Sequence, residues 1–97
     1  MPIIIRKIVD DSTENYAEVA TGSWDLRTQI EAFETWLSES PGRLDPSNQW
    51  IADVGFTVRL EALGGGPPIT RNLMEMCVES NIEIYLSEYG SETEDAG

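Results

Sequence analysis

The chain has 97 residues, 18 acidic and six basic side chains, no histidine and a formal charge of −12. Nucleic acid is held by neutralising its phosphates with Lys and Arg, so this balance argues against direct nucleic-acid binding and for attraction to basic proteins. Without histidine the commonest general base and neutral metal ligand are missing, and Ser–His or Cys–His catalytic machinery is excluded.

In chain order, Pro2–Val9 is a β-branched run (Ile3, Ile4, Ile5, Ile8, Val9) and reads as a first strand. The polar cluster from Asp10 to Asn15 has turn composition, and Tyr16–Ala20 reads as a short second strand completing a hairpin. From Trp24 the period changes. Leu26, Ile30, Phe33 and Leu37 fall on one helical stripe with Trp36 beside it; Ser23 is the expected N-cap, Arg27 and Glu31 an exposed pair, and Ser40, Pro41 and Gly42 the stop.

Pro41–Gln49 has loop composition. Trp50, Ala52, Val54, Phe56, Val58, Leu60 and Ala62 then alternate with mostly polar residues, which predicts a long strand facing the core with its even positions and bent or bulged at Gly55. After the Gly64–Pro68 run, Thr70 caps a well-buried helix to Ser80 carrying Leu73, Met74, Met76, Cys77 and Val78. Asn81 suits a left-handed helix end, and Ile82, Ile84 and Leu86 alternate as a final strand.

The order β-β-α-β-α-β implies an α+β fold, a two-layer sandwich in which a mixed four-stranded sheet carries both helices on one face. About 18 residues separate the last two strands, enough for a crossover joining parallel neighbours. Residues 1–90 are expected to form one domain and 91–97 an acidic flexible tail. Cys77 lies in an apolar helix, where a buried, inert thiol is expected. A lone cysteine, no apolar run near the ~20 residues of a membrane helix, and N-terminal charges placed after the apolar residues point to a cytoplasmic protein with no membrane contact.

No catalytic constellation, metal site or cofactor is expected. The GGGPP segment lacks the Lys of a phosphate-binding loop, and its prolines remove two backbone donors, so a mobile strand-to-helix connection is the expectation. The Asp10, Asp11 and Glu14 cluster lacks the spacing of a calcium loop. Charge is unevenly spread: residues 70–97 hold seven acids against Arg71, half the net charge of the chain. The parity of the strands predicts an open sheet face bearing Asp53, Thr57, Arg59, Glu61, Glu83, Tyr85 and Tyr89, in which acids surround aromatic anchors. Rigid tyrosines supply contact area while carboxylates select positive ligands, so the candidate partner-binding residues are Asp53, Glu61, Glu75, Glu79, Glu83, Tyr85, Glu88 and Tyr89.

The second half, GFTVRLEALGGGPPITRNLMEMCVESNIEIYLSEYG, resembles the strand, loop, helix, strand ending of small bacterial α+β domains, among them immunity proteins of polymorphic toxin systems. The likeness covers residues 50–90 and rests on pattern. It implies a non-enzymatic inhibitor that neutralises a cognate toxin by occluding its active site. Two other readings stand beside it: a phage-encoded DNA mimic that inhibits a host defence complex in the manner of anti-CRISPR proteins, which fits the charge, and a structural domain, monomer or dimer, in which an edge strand such as the isoleucine-rich first strand or the apolar Trp residues mediate oligomerisation.

Overall fold

A computed structural model describes residues 3–19, 22, 24–40, 42–59 and 61–89. Six elements follow one another: β1 (Ile3–Val9), β2 (Ser12–Val19), α1 (Leu26–Glu39), β3 (Trp50–Thr57), α2 (Arg71–Ser80) and β4 (Ile82–Tyr89). The sheet order is β2-β1-β3-β4; β1 is antiparallel to both its neighbours, while β3 and β4 are parallel. This is the expected α+β architecture with a mixed four-stranded sheet and two helices. The first strand, however, is central. It pairs with β2 on one side and β3 on the other, and Ile3, Ile4 and Ile5 are buried, so it offers no edge for pairing between chains.

β1 and β2 join through a tight turn at Asp10 and Asp11, with Asp10 in the left-handed region at φ 55°. Ser12 to Asn15, expected as turn, is strand. Most of β2 is exposed, so nothing selects for apolar alternation there, and its polar residues mimic a loop. The bulge expected at Gly55 is absent from the regular β3 ladders. It lies instead in β2, where the register slips so that Tyr16 is an extra residue between the partners of Ile5 and Arg6. Tyr16 packs its ring edge-on against Trp50, with centroids 4.9 Å apart.

α1 places Ile30, Phe33 and Leu37 in the core, with Gln29 buried beside them. Its N-cap is Asp25, whose carboxylate accepts from the Thr28 N–H at 3.0 Å and the Thr28 hydroxyl at 2.9 Å. Ser23, the expected cap, lies outside the described residues. β3 ends at Thr57, five residues short of the predicted alternation; among the described residues its pairing with β1 reaches Val54, and further along that side the Thr57 N–H donates to the Trp24 carbonyl. Arg59 and Glu61 therefore lie beyond the sheet.

The two helices lean on each other through Glu34 of α1. One carboxylate oxygen accepts from the Thr70 hydroxyl (3.0 Å) and the other from the Asn72 amide (2.8 Å). Thr70 in turn caps α2 by accepting from the Leu73 N–H at 3.0 Å. Asn81 ends α2 at φ 63°, as its residue type suggests. The core runs from Ile3, Ile5 and Val19 through Phe33 and Leu37 to Trp50, Ala52, Val54, Leu73, Cys77 and Ile82, with Leu44 closing one end from the α1–β3 loop.

α2 is not well buried. Leu73 and Cys77 face the core, but Met74 is 50% and Val78 80% exposed. Asn72 turns toward α1, and Met74 and Val78 sit roughly half a turn around the helix from it, on the side that overhangs β4. Leu86, on the same side of β4, is 53% exposed.

Candidate functional site

The open sheet face is organised by one polar row crossing all four strands. Asn15 Oδ1 (β2) accepts from Arg6 Nε (β1) at 3.3 Å, Arg6 Nη1 meets Asp53 Oδ2 (β3) at 2.7 Å, and Ser87 Oγ (β4) donates to Asp53 Oδ1 at 2.6 Å. Ile4 and Ile51, on the same face, are nearly buried although no helix covers them. Asp53 is thus a part-buried, ion-paired group whose two oxygens are engaged within the sheet. It contributes position to this face and little free charge.

The other proposed binding residues are scattered differently from the expectation of a single open face. Glu61 sits in the connection after β3. Glu83, Tyr85 and Tyr89 alternate on the open side of β4, while Glu88 points to the helix side, and Glu75 and Glu79 are exposed on α2. Six of the eight residues therefore belong to the α2–β4 unit, although Glu79 lines a groove on the α1 side of α2 with Leu37 and Ser40, away from the β4 edge. Trp24, not among the predicted residues, joins them: its ring packs edge-on against Tyr89 with centroids 5.5 Å apart. A tryptophan just ahead of a helical stripe reads as part of that stripe; only the end of β3 reveals its position.

The carboxylates fall into two groups. Asp25 is held below its usual pKa chiefly by the Thr28 backbone N–H, and Asp45 likewise by the Ser47 backbone N–H. With Asp53 and Glu34, these acids hold the fold together. The carboxylates of Glu75, Glu79, Glu83 and Glu88 are exposed and take no part in any hydrogen bond or ion pair among the described residues, and the same holds for Asp10, Asp11, Glu14, Glu18, Glu31, Glu39 and Glu61. The sole base in residues 71–89 is Arg71. The acids of residues 91–97 lie outside the described residues.

The glycine loop has the chemistry of an acceptor. Arg59 Nη2 donates to the Gly64 carbonyl at 3.0 Å and Arg27 Nη2 to the Gly65 carbonyl at 3.4 Å, so Arg27 reaches this loop and not Glu31. Gly64 and Gly65 adopt φ of 114° and 81°, which side chains disfavour. The open cleft of about 290 Å³ between this loop and the start of α1 is lined by both arginines, each already bonded to a loop carbonyl. Among the described residues no group of three or more His, Cys, Asp or Glu is arranged to hold a metal ion, and no helix is long and apolar enough to cross a membrane. Burial pushes the Cys77 thiol up to about 11.

Compared with protein-family models, curated proteins and solved structures, the chain matches none. The α+β sandwich with a charged, aromatic edge is defined by its own geometry.

Proposed function

We propose that the chain is a non-enzymatic acidic binding protein of the immunity or inhibitor type, which neutralises a basic protein such as a bacterial toxin by docking its α2–β4 edge. One observation carries the reading: in residues 71–89 all four glutamates are exposed, none of their carboxylates has a hydrogen bond or ion pair among the described residues, and Arg71 is the sole base beside them. Exposed carboxylates that stabilise nothing locally repel one another, and a positive surface relieves that repulsion. Tyr85, Tyr89 and Trp24 supply the rigid aromatic area that interfaces favour.

The test is affinity capture from the cells that carry the gene, followed by titration of the recovered protein against salt. A basic partner is expected, with affinity falling steeply as ionic strength rises. Capture of an acidic partner, or affinity indifferent to salt, overturns the proposal. Competition with DNA for that partner would shift the reading to DNA mimicry.

A further inference from the structure

β4 is an edge strand of eight residues with no proline, no lysine and no register shift against β3. Its backbone polarity follows from two hydrogen bonds, Trp50 N–H to the Asn81 carbonyl and Val58 N–H to the Tyr89 carbonyl. In a parallel ladder with this phase, the odd residues of β4 turn their N–H and C=O toward β3. Those of Ile82, Ile84, Leu86 and Glu88 turn outward. Alternate backbone groups are thus presented in the spacing that an added strand requires.

The side chains bordering that edge differ on its two sides. On the helix side Met74, Val78 and Leu86 are exposed apolar side chains that make up the overhang, with the exposed Glu88 beyond them toward the end of the strand. On the open side stand Glu83 and Tyr85. We infer that the outer edge of β4 receives an extended segment of the partner as a fifth strand, its alternate residues apolar against Met74, Val78 and Leu86 and basic against Glu83 and Tyr85. This deepens the proposed function and rests on it for the sign of the partner's charge. A second copy of the chain is a poorer occupant: its own β4 would bring Glu83 and Glu88 of both copies together, in a part of the chain whose sole base is Arg71.

The test uses three capped octapeptide probes added to the full chain: alternating Lys and Val, the same peptide methylated on the backbone nitrogens of one edge, and alternating Lys and Gly of equal charge. Amide hydrogen exchange is followed by NMR. With the Lys–Val peptide, exchange at Ile84 and Leu86 is expected to slow by about tenfold or more, as for amides newly drawn into a ladder. Methylation or V78D is expected to abolish this effect, and Val78 is exposed enough for the variant to fold.

Equal binding of the Lys–Gly peptide without protection of β4 overturns strand addition and leaves the acidic-binding reading intact. Failure of every peptide to bind overturns both. Protection of the same amides in the free chain, rising with its concentration, assigns the edge to a second copy and also overturns the inference.

Discussion

The two edges of the sheet have been treated in opposite ways. β2 carries a bulge at Tyr16, a polar sequence from Ser12 to Asn15, and a tyrosine laid back onto Trp50. A strand bent out of register presents a poor template for pairing. β4 keeps an even register along its whole length and is bordered by Met74, Val78 and Leu86. The difference teaches that exposure of an edge strand is not in itself evidence of use. What separates the two is regularity, since both carry exposed glutamates, Glu14 and Glu18 on β2 and Glu83 and Glu88 on β4.

The largest expected effect concerns what holds α2 over β4. Leu73 is fully buried, so L73A should cost about 2–5 kcal/mol, through lost apolar transfer and the cavity left behind. V78A, one helical face away, should change stability by less than about 0.5 kcal/mol. Urea denaturation of both variants checks the contrast. Equal costs would mean that Val78 is a packing residue, and the overhang would lose its meaning as a free surface.

A middle effect is expected at Asp53, which ties the β4 side of the sheet to β1. D53A strands the Arg6 guanidinium part-buried and removes the acceptor of Ser87, a loss of about 1.5–3 kcal/mol for a charged hydrogen-bonding group. Hydrogen exchange should show β4 loosening more than β2. A uniform loss would erase the distinction between the edges.

The smallest effect is a pH dependence. The folded state raises the Cys77 thiol from its ordinary value near 9 to about 11 by burying it, which disfavours the thiolate. Stability should therefore be unaffected by this group below about pH 9, fall as pH rises from there, and level off above about pH 11. C77A removes this component, so the difference between parent and variant melting curves across that range isolates it from the titration of Lys and Tyr. A difference independent of pH would contradict the burial of the thiol.

Much of the fold was legible because buried faces write their period into the sequence. Leu26, Ile30, Phe33 and Leu37 gave α1, and the even positions of Trp50–Phe56 gave β3. The polar face of β2 carried no such period, and the order of strands depends on contacts distant in sequence. α2 was ambiguous for a specific reason: Leu73 and Cys77, and Met74 and Val78, are both apolar pairs at helical spacing. Periodicity alone cannot tell which pair is buried. The concentration of acids toward the C-terminal part was visible, but the engagement of Asp53 with Arg6 and the place of Trp24 beside Tyr89 depended on which strands are neighbours.

The Glu34 carboxylate reaches across 36 residues to the cap of α2. The first turn of the second helix is therefore specified partly by a side chain from the first. Cutting the chain between β3 and α2 and mixing the pieces would ask two incomplete halves to find each other before either had a finished core. Cooperative unfolding of the whole, with no separately melting half, follows from the single core that both halves complete, to which this anchor adds.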